Sequence, residues 1–113
     1  MEASATYRYA RISPQKARLV VDQIRGKPVS EALNILSITK KRACHCIEKL
    51  LRSAVANAEE RAENVDVDAL VVSRAFVNDG LRQRRVRPAP QGRAYRYQRR
   101  TSHITVAVEA PEE

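Results

Sequence analysis

Eight arginines fall between Gly80 and Arg100: Arg82, Arg84, Arg85, Arg87, Arg93, Arg96, Arg99 and Arg100. The same stretch holds no Asp, Glu or Lys. Guanidinium is planar, permanently charged and forked, so it grips a phosphate through paired hydrogen bonds or lies flat on a base. Four of the five aromatic residues are tyrosines set among arginines, in Tyr7-Arg8-Tyr9-Ala10-Arg11 and Arg93-Ala94-Tyr95-Arg96-Tyr97. A tyrosine ring stacks on a base or sugar while neighbouring cations hold phosphates. It also packs against strand neighbours, and for Tyr7, Tyr9, Tyr95 and Tyr97 both readings stand. Phe76 alone reads as an ordinary core aromatic.

Other residues with reactive side chains form no catalytic set. Ser102 and His103 adjoin, but on a strand they face opposite sides. Cys44-His45-Cys46 invites a metal reading, yet zinc takes four ligands, typically from two separated pairs. The only other histidine is His103, and there is no third cysteine. Residues two apart on a helix point in different directions, so no Cys44–Cys46 disulfide is expected, and the compartment reads as reducing. Gly26, Gly80 and Gly92 are scattered and make no phosphate-cradling loop. No catalytic residue, metal or cofactor is expected.

The formal net charge is +8 in 113 residues. Outside Gly80–Arg100 the chain carries thirteen basic and thirteen acidic residues, so the whole excess resides in that one segment. Such a balance points to a polyanionic partner, nucleic acid first and an anionic membrane surface second. A span of the bilayer needs roughly 20 apolar residues; Ala69-Leu70-Val71-Val72 is about the longest run. Arg8, Arg11, Lys16 and Arg18 interrupt any secretory leader. A cytoplasmic location is expected.

These residues must be positioned by a chain long enough for one domain. Thr6–Ile12 alternates bulky and basic groups and reads as a short strand. Ser13-Pro14 opens a helix with Ala17, Val20, Val21 and Ile24 on one stripe, stopped by Gly26. A second helix runs from about Pro28 to Ser37, with Val29, Ala32, Leu33 and Leu36 inward. Ser37 or Thr39 can cap a third, continuing to about Arg61 with Ala43, Ile47, Leu50, Leu51, Ala54, Val55 and Ala58 as its stripe. Ala54, Ala56 and Ala58 point to close packing against a neighbour. Glu59-Glu60 reads as a solvated helix end, and Glu59–Asp68 as an acidic loop. Leu70–Asn78 and Thr101–Glu109 read as strands, the second with Ile104, Val106 and Val108 on one face.

Between those strands lies a segment too long for a structureless loop. It reads as a hairpin at about 78–102, turning near Pro88-Ala89-Pro90-Gln91-Gly92. Ten residues per arm at about 3.3 Å each reach roughly 33 Å. Arginines fall on both faces, so neither buries against the body. Such a ribbon is marginal in water, and it is expected to project and to be ordered by what it binds.

In their order and spacing, several motifs closely resemble the bacterial large-subunit ribosomal protein twenty-two family from about Ala5 to Glu109. They are Arg11-Ile-Ser13-Pro-Gln-Lys16-Ala-Arg18-Leu-Val20, Ile24-Arg25-Gly26, Ala32-Leu33-Asn-Ile-Leu36, Ser53-Ala-Val-Ala-Asn57-Ala58, Gly92-Arg93-Ala94 and Arg100-Thr-Ser-His-Ile-Thr-Val106. The resemblance implies an α+β fold, three helices packed on a small antiparallel sheet with a long protruding β-hairpin. It implies contact with several domains of the large-subunit rRNA, a part in early assembly, neighbouring large-subunit ribosomal proteins, and a hairpin lining the nascent-peptide exit tunnel. Carried onto this chain, Arg8, Arg11, Lys16 and Arg18 contact rRNA at the domain surface. Arg82, Arg84, Arg85, Arg87, Arg93, Arg96, Arg99 and Arg100 do so along the hairpin. Pro88, Ala89, Pro90, Gln91, Gly92 and Arg93 form a tunnel-facing tip where nascent peptide and macrolides are sensed. Many members carry a basic residue where this chain has Gln91.

The mechanism these residues point to is scaffolding by charge. An acid-free arginine ribbon supplies fixed counter-charge where folded RNA crowds its phosphates. The competing reading is a nucleic-acid-binding module outside the ribosome, but no helix-turn-helix, zinc or RNP pattern is present. A membrane-surface protein would carry its cations on an amphipathic helix, whereas here they sit on a ribbon; no membrane partner and no enzymatic activity is expected.

Overall fold

The computed structural model describes residues 2–61, 69–88 and 94–110, and over 82–88 and 94–99 it gives the course of the backbone. The elements run β1 (Glu2–Ala10), α1 (Pro14–Ile24), α2 (Val29–Ile38), α3 (Arg42–Arg61), β2 (Val71–Pro88) and β3 (Ala94–Glu109). The strands form one antiparallel sheet in the order β1-β3-β2, with the three helices on one face: the expected α+β arrangement.

Each helix buries the stripe that its spacing defines. Ala17, Val20, Val21 and Ile24 of α1 are fully buried, as are Ile47, Leu51, Ala54 and Ala58 of α3. They meet Val72, Ile104, Val106 and Val108 from the sheet in one core. Full burial of the valines, leucines and isoleucines among them contributes about 1.5–3 kcal/mol each. Pro14 sits in the first turn of α1, where its missing N–H costs nothing. Gly26, at φ +79°, takes the left-handed turn that ends α1.

Several expectations need correction. The first strand begins at Glu2, four residues before Thr6, and ends at Ala10; it is recruited by pairing from Glu2↔Glu109 along β3 rather than by its own alternation. Neither Ser37 nor Thr39 caps α3, which starts at Arg42. Their hydroxyls turn back instead, Ser37 donating to Asn34 O at 2.8 Å and Thr39 to Ile35 O at 2.7 Å, and so close the end of α2. Glu59 and Glu60 are exposed in the last turn of α3, the solvated helix end expected, so the acidic loop expected over Glu59–Asp68 does not begin there; its residues 62–68 lie outside the described residues. Phe76 is 39% exposed and not a core residue, because a bulge at Val72/Arg74 shifts the alternation and turns Ala75 and Val77 inward instead. Ala56 is exposed while Ala54 and Ala58 are buried.

The outer strands of a sheet present unpaired backbone groups, and here the backbone that follows α1 and side chains of arginine and asparagine seal much of both. Along β2, Gly26 N donates to Val72 O at 2.9 Å, and Val72 N donates to Lys27 O at 3.0 Å. Past the bulge, Arg25 donates from Nε and Nη2 to Ala75 O at 3.0 and 2.6 Å, and Arg18 likewise to Val77 O at 3.3 and 3.0 Å. Along β1, Asn57 donates to Ser4 O at 3.0 Å and Arg61 to Glu2 O at 2.8 Å. Arg18 on α1 and Arg25, the residue that caps its C-terminus, both reach β2; Asn57 and Arg61 lie four apart on α3 and share one face of it.

Beyond this sealed body the ladder narrows to two strands. β1 pairs with β3 only as far as Ala10↔Ser102, whereas β2 and β3 continue from Arg82↔Arg100 to Pro88↔Ala94. The described finger thus has seven residues per arm, roughly 23 Å at 3.3 Å each. A compact chain of this length has a radius of gyration of about 13 Å; the observed value is 17.3 Å, with a longest extent of 67 Å. The finger projects.

Candidate nucleic-acid interface

Four consecutive residues build the root of the finger, each turned to a different neighbour. Arg100 places Nη2 3.4 Å from Asp79 Oδ1. Thr101 donates to Leu81 O at 2.7 Å, across a second bulge between Asp79 and Arg82. The buried Ser102 donates to Ile12 O at 2.5 Å and so fixes the turn from β1 into α1. His103 Nδ1 accepts from Tyr9 N at 3.1 Å, and the two rings meet edge to face with centroids 4.8 Å apart. Tyr9 has φ +59°, which a bulky residue seldom adopts; the hydrogen bond and ring contact to His103 hold it there. Ser102 and His103 face opposite sides, as their strand position requires.

Against this root lies an open cavity of about 660 Å³, lined by Arg11, Lys16, Lys41, Arg42 and Arg100, with Ile12, Ser13, Leu19 and Ala43. The beginnings of α1 and α3 supply its walls. Among the described residues that line it, none is acidic.

Of the expected contact residues, Arg11, Lys16 and Arg100 come together in this cavity. Arg8 is exposed on β1, beside Tyr7 and Tyr9, which are 44% and 55% exposed. Arg18 is not in the cavity; it is engaged with Val77 O and lies 3.8 Å from Asp79. For Arg82, Arg84, Arg85, Arg87, Arg96, Arg99, Tyr95 and Tyr97 the backbone places each on the finger. Pro88 ends β2, and Ala89–Arg93 of the expected tip lie outside the described residues. Cys44 is buried, His45 exposed and Cys46 half-buried on α3.

The sequence reading missed Lys41 and Arg42. The available signal was Lys40-Lys41-Arg42 at a helix start, where the macrodipole favours acids and disfavours bases. It also missed Asn57 and Arg25, whose motifs were visible but whose carbonyl-sealing role depends on which strands lie at the edges.

Fold and site together define a small α+β protein with a cationic cavity at the root of a projecting β-finger. Residues 5–109 match the model of the ribosomal protein L22p/L17e family. The chain is 59% identical over 108 residues to the large ribosomal subunit protein uL22 of Solibacter usitatus, covering 96% of each chain. It is 55% identical to that of Oceanobacillus iheyensis over 108 residues, covering 96% of this chain and 95% of the relative. With that of Caldicellulosiruptor saccharolyticus it shares 51% identity over 111 residues, covering 98% and 90%. The chain belongs to the ribosomal protein L22p/L17e family. Its role is therefore structural and ribosomal, not enzymatic.

Proposed function

We propose that the protein is a structural constituent of the large ribosomal subunit, the particle its relatives are named for, and that it works in the bacterial cytoplasm. There it binds large-subunit rRNA through the basic face of its body and through the arginine finger. In this reading the finger threads between rRNA domains and stabilises their approach early in assembly. Its tip, Pro88–Arg93, lines the exit tunnel beside the nascent peptide, with neighbouring ribosomal proteins around the body. The observation that carries the proposal is the finger itself: an acid-free segment with eight arginines, carried on a two-stranded ladder away from the core.

Compacted RNA brings phosphates together, and fixed guanidinium groups offset that repulsion without the entropy loss of trapping mobile ions. Neutralising eight phosphates gives a slope of log K against log salt of roughly −6 to −7. Replacing Leu81–Arg99 by a two-residue turn removes seven of the arginines and should flatten the slope by about 5 to 6. An unchanged slope on that replacement would defeat the proposal. Photocrosslinking from Gln91 to a stalled nascent chain tests the tunnel-facing tip; crosslinks to rRNA alone would remove it.

A further inference from the structure

We infer that Asp79 is a positioning residue: with Arg18 of α1 and Arg100 of β3 it forms a three-charge clamp that sets the direction in which the finger leaves the body. Asp79 Oδ1 lies 3.8 Å from Arg18 Nη2 and 3.4 Å from Arg100 Nη2. The three side chains come from three elements, α1, β2 and β3. Asp79 is also the last acidic residue before the acid-free stretch that carries eight arginines. A carboxylate in that place repels the polyanion that the finger attracts. Its contacts with two arginines are what the fold gains from it.

The joint needs such a tie. Between Asp79 and Arg82 the ladder shifts register, with Gly80 and the exposed Leu81 in the bulge. A bulge bends and twists its strand, and beyond this one β1 no longer pairs with β3. A two-stranded ribbon is marginal by itself. Ties from the body meet just inside the bulge: Ser102 on Ile12 O, Arg18 on Val77 O, and the clamp. Among the described residues, the clamp is the tie that joins both strands of the finger to a helix. An isolated exposed ion pair contributes little, but here one carboxylate is shared by two cations, and shared pairs act as a network. Arg18 is already held by bonds of 3.3 and 3.0 Å to Val77 O, so meeting Asp79 orders it little further. A finger fixed in direction before it binds loses less freedom on binding. That last consequence rests on the rRNA reading above; the clamp itself does not.

The test uses the full ¹⁵N-labelled chain, aligned in a neutral stretched gel, and reads residual dipolar couplings. Asp79→Asn removes the charge and keeps the shape of the side chain. Glu48→Gln makes the same charge change by breaking the 3.1 Å Arg52–Glu48 pair on α3. Both sites lie outside the core cluster, so couplings of the body should match the unsubstituted chain in both variants. Couplings of residues 82–84 and 98–100 should fit the body's alignment in the unsubstituted chain and in Glu48→Gln. In Asp79→Asn they should shrink. Unchanged finger couplings in Asp79→Asn would overturn the clamp, as would finger couplings already averaged away in the unsubstituted chain.

A second arm separates position from charge. Loss of a negative charge by itself strengthens binding to any RNA, so the affinity of Asp79→Asn for polyuridylate should rise. Its affinity for a transcript of large-subunit rRNA should not follow, and the ratio of the two affinities should drop several-fold from that of the unsubstituted chain. Asp79→Glu, which keeps the carboxylate, should restore both the couplings and the ratio. A rise by the same factor on both RNAs would overturn the positioning role in favour of plain charge. An unsubstituted chain with no preference for the rRNA transcript over polyuridylate would instead overturn the rRNA reading, while the couplings judge the clamp without it.

Discussion

Gly80 is the residue at which the body becomes a finger, and replacing it by alanine puts a number on that joint. A Cβ built on Gly80 lies 2.5 Å from Thr101 Oγ1 and 3.2 Å from both the carbonyl carbon and oxygen of Thr101. Gly26 alone among the described glycines has positive φ, so at Gly80 the constraint is space rather than backbone conformation. Thr101 can swing its hydroxyl away only by giving up the 2.7 Å bond to Leu81 O. That loss costs about 0.5–1.5 kcal/mol. Easing the two backbone contacts adds about 1 kcal/mol. The lower entropy of the unfolded alanine chain returns about 0.4–1 kcal/mol. The net expectation for Gly80→Ala is a destabilisation of about 0.5–2 kcal/mol. At this chain length each kcal/mol lowers Tm by about 4 °C.

The sharper test is the pair. In a Thr101→Ala background the hydroxyl and its bond are already gone, so Gly80→Ala should cost about 1 kcal/mol less than it does alone. Urea unfolding of the four chains closes the cycle. Additivity within about 0.3 kcal/mol would refute the contact between Gly80 and Thr101 as the reason for glycine here.

Two further expectations concern the body. Arg25→Ala removes both bonds to Ala75 O and the 2.9 Å bond to Asp22; with Arg25 half exposed, the loss should be about 1 kcal/mol in urea unfolding, and a stability unchanged from the parent would remove its edge-sealing role. Thiol labelling of the folded chain should modify the half-buried Cys46 quickly and the buried Cys44 only on unfolding; equal rates for both would contradict the packing of α3.

Periodicity made the helices legible because burial on one face is what each stripe is for: Val20, Ile24, Ile47 and Leu51 are all at zero exposure. It misplaced Phe76, since a bulge two residues into β2 reverses which side chains face the core, and no local signal announces it. The finger was legible from charge and from the implausibility of a long loop. The cavity was not, because it joins residues 11–19, 41–43 and 100, which only the tertiary fold brings together. Arg18 shows the same limit from the other side. The resemblance offered it as an RNA contact; the fold adds a bond to a strand carbonyl that its sequence neighbours do not reveal. Asn57 and Ser102 are alike in this: both lie in recognisable motifs, and both act on backbone oxygens of residues more than fifty positions away.

In the body, the backbone after α1 and side chains of arginine and asparagine close much of the sheet's flanks, but from Arg82 outward the ladder has only two strands, so each of them is a border. Such a ribbon is a ready template for a second copy to join lengthwise. Mutual repulsion between arginine-rich ribbons opposes that joining, and it weakens as dissolved salt rises. The protein without RNA should therefore keep its monomeric state better in dilute buffer than in concentrated salt.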